Sequence, residues 1–316
     1  MTWNPDHLPS QSGRTIVVTG ATAGIGYFAA EQLAAAGADV VLASRSAVKL
    51  RVAREAILGR VPGASVRSVV VELGSLASVD AAAAELAALP RLDSIVLNGG
   101  VMSFGRGART TDGLPILLGT HVVANFRLLA GVLPALAATA TAHETVGRVV
   151  HTSTGFVSRF RYDLDDLARV PVVGVGAYTK AKTVTEVVAF ELDRRLQATG
   201  LPVLSVVTRP GVGVDAKTPE RPGIRDATTP YQRNPYTPWA QGKDTAAWSA
   251  VRAVTDPAVR GGEYYAPAGS LRGRPVSVPP LVRTAAPPAG IADQVWHQVE
   301  ALAGISIPGL VGQAAG

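Results

Sequence analysis

No cysteine occurs among the 316 residues. A disulfide scaffold, a thiolate metal site and a cysteine nucleophile are therefore excluded. Charge is sparse too: only 17% of residues are Asp, Glu, Lys or Arg, and the net formal charge of +6 is not gathered into a basic run. So dilute a surplus does not predict a nucleic-acid partner. Glycine and proline, 33 and 22 residues, stay under the roughly 25–30% that marks low-complexity chains. A clean membrane-length apolar run is missing as well. The most apolar window, Gly113 to Ala142, is interrupted by His121, Asn125, Arg127 and Pro134 and has a helical period. That predicts a buried core helix and no membrane span. Met1 to Ser10 has no basic segment leading into an apolar one. No secretory signal is expected, and the expected location is cytoplasmic.

What is present is enough apolar material, 47% of the chain, for a sizeable core. Short β-branched runs (Thr15–Thr19, Asp39–Ala43, Val66–Leu73, Ser94–Asn98, Arg148–Ser153, Pro202–Thr208) alternate with Ala/Leu-rich stretches. The latter are Gly24–Ala36, Ala47–Leu58, Leu76–Leu89, Asp112–Leu136 and Ala177–Ala198. Strands apolar throughout are expected where helices cover both sheet faces. Strict alternation predicts one α/β domain over residues 1–316, a Rossmann-type doubly wound parallel sheet with helices on both faces.

The pattern stops after Pro210-Gly211. Residues 212–243 interleave Pro219, Pro222, Pro230, Pro235 and Pro238 with Tyr231, Tyr236 and Trp239. A loop of that length predicts a substrate lid, and its Arg221, Arg225 and Arg233 suggest a polar or aromatic substrate. A helix over Asp244–Val254 and a strand over Glu263–Ala266 follow. Ile291, Val295, Val299 and Leu302 then form one stripe of a C-terminal helix at about 290–303.

Two motifs carry chemistry. Thr19-Gly20-Ala21-Thr22-Ala23-Gly24-Ile25-Gly26 joins the first strand to the first helix. Glycines there allow a tight turn and the close approach of a pyrophosphate to the backbone, at a helix N-terminus that offers free N–H groups. Three glycines alone are weak evidence; their place in the first βαβ unit makes the dinucleotide reading. At the end of strand two the chain has Ser44-Arg45 in place of the carboxylate that NAD sites use for the ribose. Arg45 can bind a 2′-phosphate bidentately, so NADP(H) is expected over NAD(H).

Tyr178-Thr179-Lys180-Ala181-Lys182 sets Tyr178 and Lys182 at i, i+4 on one helix face. An ammonium and a cationic nicotinamide beside the phenol would pull its pKa down from about 10. Such a hydroxyl can exchange a proton with an alcohol or carbonyl while a cofactor moves hydride.

Together these features resemble the short-chain dehydrogenase/reductase family. The TGxxxGxG motif is matched at Thr19, Gly20, Gly24 and Gly26, YxxxK at Tyr178 and Lys182, and Pro-Gly at Pro210 and Gly211. Ala43-Ser44-Arg45-Ser46, Asp112-Gly113-Leu114 and Gly262-Glu263-Tyr264-Tyr265 look most like the branch of retinol dehydrogenases and related bacterial oxidoreductases. The resemblance implies a sheet ordered 3-2-1-4-5-6-7 and an NADP(H)-dependent oxidoreductase acting on a small-molecule alcohol or carbonyl. Implied cofactor contacts are Gly20, Thr22, Ala23, Gly24, Ile25 and Gly26; Ser44, Arg45 and Lys49; Glu72 and Leu73; Asn98, Gly99 and Gly100; Tyr178 and Lys182; and Pro210, Gly211 and Gly213. The family's four-helix interface would use helices four and five, which leaves monomer or homo-oligomer open.

Departures from the pattern matter. Leu97-Asn98-Gly99-Gly100 stands where the family has Asn-Asn-Ala-Gly. The catalytic serine aligns with Thr154, and a one-residue shift gives the role to Ser153. The branch's relay asparagine aligns with His121, which is either a titrating replacement or a half-buried structural histidine, with Asn125 having no catalytic part. His151 is expected to point away from the site, because strand residues alternate faces. Tyr162-Asp163-Leu164-Asp165-Asp166-Leu167 reads as a solvated loop or helix start and not a metal site. Tyr264, Tyr265 and Trp296 read as sheet and core aromatics. The altered positions keep two alternatives open: epimerisation or dehydration with bound NADP, and a non-catalytic NADP-binding protein.

The charge surplus is uneven. Arg45, Lys49, Arg51, Arg54, Arg60 and Arg67 face a single acid, Glu55, within residues 44–67. That cluster fits a cofactor phosphate. A second surplus, 11 basic residues against 6 acidic over residues 209–286, leaves an acidic substrate open.

Overall fold

The computed structural model describes residues 3–101, 107–171, 174–231, 233–307 and 309–310. β1 (Thr15–Thr19), α1 (Gly24–Ala35), β2 (Asp39–Ser44), α2 (Ala47–Arg60), β3 (Val66–Val70), α3 (Leu76–Ala87) and β4 (Ser94–Leu97) form the first half. The second half holds α4 (Ile116–Ala142), β5 (Gly147–Thr152), α5 (Gly174–Thr199), β6 (Val203–Thr208), α6 (Trp248–Thr255), β7 (Tyr264–Pro267), β8 (Pro275–Ser277) and α7 (Ile291–Ala303). The sheet order is β3-β2-β1-β4-β5-β6-β7-β8. The expected 3-2-1-4-5-6-7 parallel order is present. It gains an edge strand, β8, antiparallel to β7, whose three residues are too few to show a period.

Alternation along each strand divides the core. Ile16, Val18, Leu42 and Val150 pack toward α1, α2 and α6. Val17, Val41, Ile95 and Val149 pack toward α3, α4 and α5. Both faces are thus buried, which is why the strands read as continuous apolar runs.

Among the boundaries that differ from expectation, three stand out. β3 stops at Val70, short of Leu73. The chain turns there, with Ser75 N–H donating to Glu72 O at 3.0 Å. α4 starts at Ile116, not Asp112, because the Asp112 carboxylate leaves the helix to accept the Leu76 N–H. It also runs on past Leu136 to Ala142. α4 is long and apolar enough by composition to cross a membrane, yet its side chains are largely buried in this core. Its one arginine, Arg127, reaches out to Asp80 of α3 at 2.6 Å.

α7 lies across α4 and α5. Val295, Trp296 and Val299 are fully buried. The Arg195 guanidinium from α5 sits 4.5 Å from the Trp296 ring centroid and pairs with Glu191 and Asp293 at 2.6 and 2.7 Å. The outer faces of the two helices that the resemblance assigns to an intersubunit bundle are thus occupied in part by the chain's own last helix.

Candidate active site

The glycine turn is built against the end of β4. Thr19 Oγ1 accepts the N–H groups of Asn98 and Gly99 at 3.0 and 2.8 Å, and Asn98 Nδ2 donates to Thr19 O at 3.1 Å. A Cβ at Gly26 would lie 2.5 Å from Asn98 Nδ2 and from Gly20 O, so only glycine fits. Gly20 has φ +68°, a left-handed conformation that also favours glycine. Gly99, which replaces the family's alanine, sits where a Cβ would be 2.9 Å from Leu73 Cδ1. α1 then begins at Gly24 behind Ala23, whose side chain cannot cap it. Its first N–H groups therefore stay open to an anion. The expected cofactor residues Gly20, Thr22, Ala23, Ser44, Arg45, Glu72, Leu73, Gly99 and Gly100 line one open cleft of about 460 Å³. Cradle, uncapped helix and arginine fit a dinucleotide.

The basic cluster after β2 separates into two kinds. Arg54 donates to Val66 O at 2.8 Å and Arg67 pairs with Asp39 at 3.2 Å, so both hold the fold. Arg45 is exposed beside the cleft, with Glu72 3.9 Å away. An ion pair that long and exposed binds weakly, which leaves Arg45 able to turn to a phosphate.

At the end of β5 the chain leaves the sheet, and Thr154 caps a short 3-10 turn, Gly155–Ser158. The Thr154 hydroxyl lies close enough to the Tyr178 hydroxyl to favour its charged form. Ser153 turns the other way: its Oγ donates to the buried Glu186 carboxylate at 2.5 Å. The structure thus brings Thr154, and not Ser153, to the tyrosine. Lys182 Nζ, buried, donates to Thr152 O at 2.5 Å and lies 6.0 Å from the Tyr178 ring centroid. Burial pushes the Tyr178 hydroxyl up to about 12, against a lowering by Thr154. Burial also drives Lys182 down to about 8, against the pull of Glu186. Among these residues desolvation is the larger influence on the Tyr178 hydroxyl, and Thr154 is the one that opposes it.

His121 occupies a π-helical turn, Gly119–Val123, inside α4. Its ring packs edge-on to Tyr178 at 5.3 Å, and its Nε2–H donates to Val101 O at 2.9 Å. A Cβ on Gly100 would meet the ring at 2.1 Å, so this glycine makes room for the imidazole. His121 is fully buried, not half-buried. Burial first and the Lys182 charge second drive it down to about 3. Both influences favour the neutral ring over the charged one. Asn125 Nδ2 donates to Thr120 O and His121 O, bracing that turn.

His151 contradicts its expected orientation. It faces α4 and α5, lining a small internal cavity with His121, Asn125 and Thr185. Strand alternation ends at Thr152, so parity counted back from Thr154 gives the wrong face.

The 212–243 segment, of which residue 232 lies outside the described residues, packs its described part on the glycine turn, α1 and α2. Arg221 is not a substrate arginine: it forms a buried two-pronged pair with Glu31 of α1 at 2.6 and 2.8 Å. Arg225 stacks 5.6 Å from the Tyr231 ring, while Arg233 is exposed. In the acidic stretch, Asp163 and Asp166 accept nearby backbone N–H groups and Leu167 is buried.

The family model described as short chain dehydrogenase matches residues 14–213. The chain is a short-chain dehydrogenase/reductase. The family comprises oxidoreductases acting on CH–OH/C=O groups with NAD(P). The chain is similar to polyprenol dehydrogenase of Mus musculus, 34% identical over 82% of this chain and 76% of the relative. A provisionally named daunorubicin C-13 ketoreductase of Streptomyces sp. (strain C5) is 31% identical over 92% of this chain and 93% of its own. The human dehydrogenase/reductase SDR family member 13 is 39% identical over 60% of this chain, in line with the retinol dehydrogenase-like branch. The chain spans 49% of that relative's length and 66% of that of a homologue from Colletotrichum higginsianum. Among solved structures, an uncharacterized protein from Mycobacterium Paratuberculosis superposes with TM-score 0.76 at 26% identity, over 98% of this chain and 100% of the other. L-sorbose reductase from Gluconobacter frateurii shares the fold, with TM-score 0.62 at 19% identity over 84% of this chain and 98% of its own.

Glu186 is the site-adjacent residue that sequence reasoning missed. It is fully buried one helical turn beyond Lys182, and accepts from Ser153 and from Tyr264, whose hydroxyl is 3.0 Å away. Burial raises its pKa. The signal was its i+4 spacing from Lys182.

Proposed function

We propose that this dehydrogenase is an NADP(H)-dependent oxidoreductase interconverting an alcohol and a carbonyl, with Tyr178 and Lys182 as its acid-base pair. The observation carrying the reading is the meeting of Thr154, Tyr178 and Lys182 beside the glycine-lined cleft, joined to it through His121 and Gly100. The bound nicotinamide would supply or take up the hydride. Tyr178 exchanges the proton with the substrate oxygen, and the Thr154 hydroxyl donates to that same oxygen. Burial keeps Tyr178 protonated at neutral pH, the form a carbonyl reduction consumes. Lys182 offsets the negative charge that then develops on the phenolate. The Streptomyces relative, matched along nearly the whole chain, supports a carbonyl substrate.

Thr154→Ala is expected to lower kcat by about 100-fold, the usual cost of one donor to a developing oxyanion. Ser153→Ala should instead leave kcat within about threefold and reduce stability by about 1–3 kcal/mol, since it strips a partner from buried Glu186. Steady-state kinetics beside urea denaturation separate the two. The reverse pattern would move the role to Ser153.

NADP preference rests on Ser44 and Arg45 at the cleft, with Lys49 in the neighbouring cavity. Arg45→Leu should weaken NADPH binding by about 10- to 100-fold, the worth of a charge-assisted hydrogen bond. NADH binding should hardly change. Equal losses for both cofactors in a fluorescence titration would remove the 2′-phosphate role.

A further inference from the structure

We propose that Lys243, carried in on the 212–243 segment, is a ligand for the cofactor's pyrophosphate. The inference rests on the dinucleotide reading above. It adds a residue from outside the glycine turn and far from it in sequence.

The backbone seats Lys243 there. The chain leaves the Pro-Gly stretch, wanders through residues 215–240, and returns to pair with its own start. Gln241 N–H donates to Val212 O at 3.0 Å, and Val214 N–H donates to Gln241 O at 2.9 Å. Gln241 Nε2 donates to Pro210 O at 2.8 Å, and Lys243 N–H donates to Thr218 Oγ1 at 2.9 Å. The lysine stem consequently runs between two segments expected to hold the cofactor. A Cβ at Gly213 would touch Lys243 Cγ at 3.2 Å, and one at Gly24 would touch its Cδ at 3.7 Å.

The charge around it suits an anion. Thr22, Ala23 and Gly24, the uncapped start of α1, line a cavity of about 530 Å³ with Lys49, Arg225 and Lys243. Asp215 is the one carboxylate among the described residues of that lining, and it holds Lys243 Nζ at 2.6 Å. Helix N–H groups with three cations against one acid favour a phosphate group. Lys243 borders the turn itself, whereas Arg45 and Ser44 line the neighbouring cleft, where the adenosine end is expected. That places the lysine at the phosphates common to NADPH and NADH. Asp215 keeps the ammonium stretched across the turn and at the same time competes for it.

The test is fluorescence titration of NADPH and NADH into the full chain and its variants, each checked by thermal melting. Lys243→Met, which keeps the stem, should weaken both cofactors by a similar factor, about 10-fold or more. Asp215→Asn should tighten both, because it frees the ammonium and removes a negative charge. Arg45→Leu should weaken NADPH alone. Unchanged affinities in folded Lys243→Met, or a loss confined to NADPH, overturn the proposal. Should Lys243→Met fail to fold, weaker binding by Asp215→Asn overturns it instead. Equal cofactor losses in Lys243→Met with no selectivity change in Arg45→Leu uphold Lys243 and sink the NADP preference. A wild-type chain that binds neither cofactor overturns both readings.

Discussion

Tyr178→Phe is expected to lower turnover by about 10³-fold or more, the scale of a lost general acid, while NADPH affinity stays within about twofold. The substitution removes one oxygen and leaves the ring in place. That ring is held edge-on to His121 at 5.3 Å, and Lys182 keeps its own partner, Thr152 O. What is lost is the proton donor, beside which the Thr154 hydroxyl stays in place. The pH profile of the wild-type enzyme carries a second signature. Burial lowers Lys182 to about 8, so the ammonium is mostly present at pH 7 and is lost as pH rises past that value. The carbonyl-reducing rate should fall above pH 8, as the charge that offsets the forming phenolate disappears. His121 is held near 3 by burial and should add no inflection near 6.5. Turnover surviving in Tyr178→Phe would remove the proposed mechanism.

Trp296→Ala is expected to cost about 3–5 kcal/mol of stability, as large-to-small changes of a buried aromatic do. The indole is fully buried in α7. It packs edge-on to Phe126 of α4, with centroids 5.0 Å apart, and lies under the Arg195 guanidinium of α5. Removing it opens a cavity where three helices meet and leaves a buried arginine without its aromatic face. Arg195 also donates to Leu310 O at 2.9 Å, so the chain beyond α7 should loosen too. Trp296→Phe should cost much less, under about 1.5 kcal/mol, because it retains an apolar ring. The indole N–H has no acceptor among the described residues, so its loss is no penalty. Guanidinium denaturation of both variants checks this. A loss below about 1 kcal/mol for alanine would mean that α7 is only loosely docked.

Legibility followed the range of the interaction. The glycine turn, the i, i+4 spacing of Tyr178 and Lys182 and the alternation of strands with helices are local, so residue order displays them. β8 was illegible because three residues carry no period, and it exists only by pairing with β7. The π-helical turn at His121 was hidden because Gly119–Val123 looks like any apolar helical stretch. His151 was misplaced because a count of alternating faces cannot say where a strand ends. The choice between Thr154 and Ser153 was open in one dimension. In three dimensions Glu186, 33 residues on from Ser153, accepts the serine hydroxyl, which favours Thr154.

The missing cysteines ruled out thiol chemistry from the sequence alone, and the alternation and motifs pointed to the family and to the pair Tyr178 and Lys182. Those conclusions needed only covalent identity and neighbours within a turn or a strand. Tertiary structure decided which hydroxyl lies beside Tyr178, that His121 is buried, that Arg221 serves Glu31, and that Lys243 returns to the glycine turn. Each of these depends on burial or on contacts between distant segments. Desolvation and ion pairing act through space, and no order of residues states them.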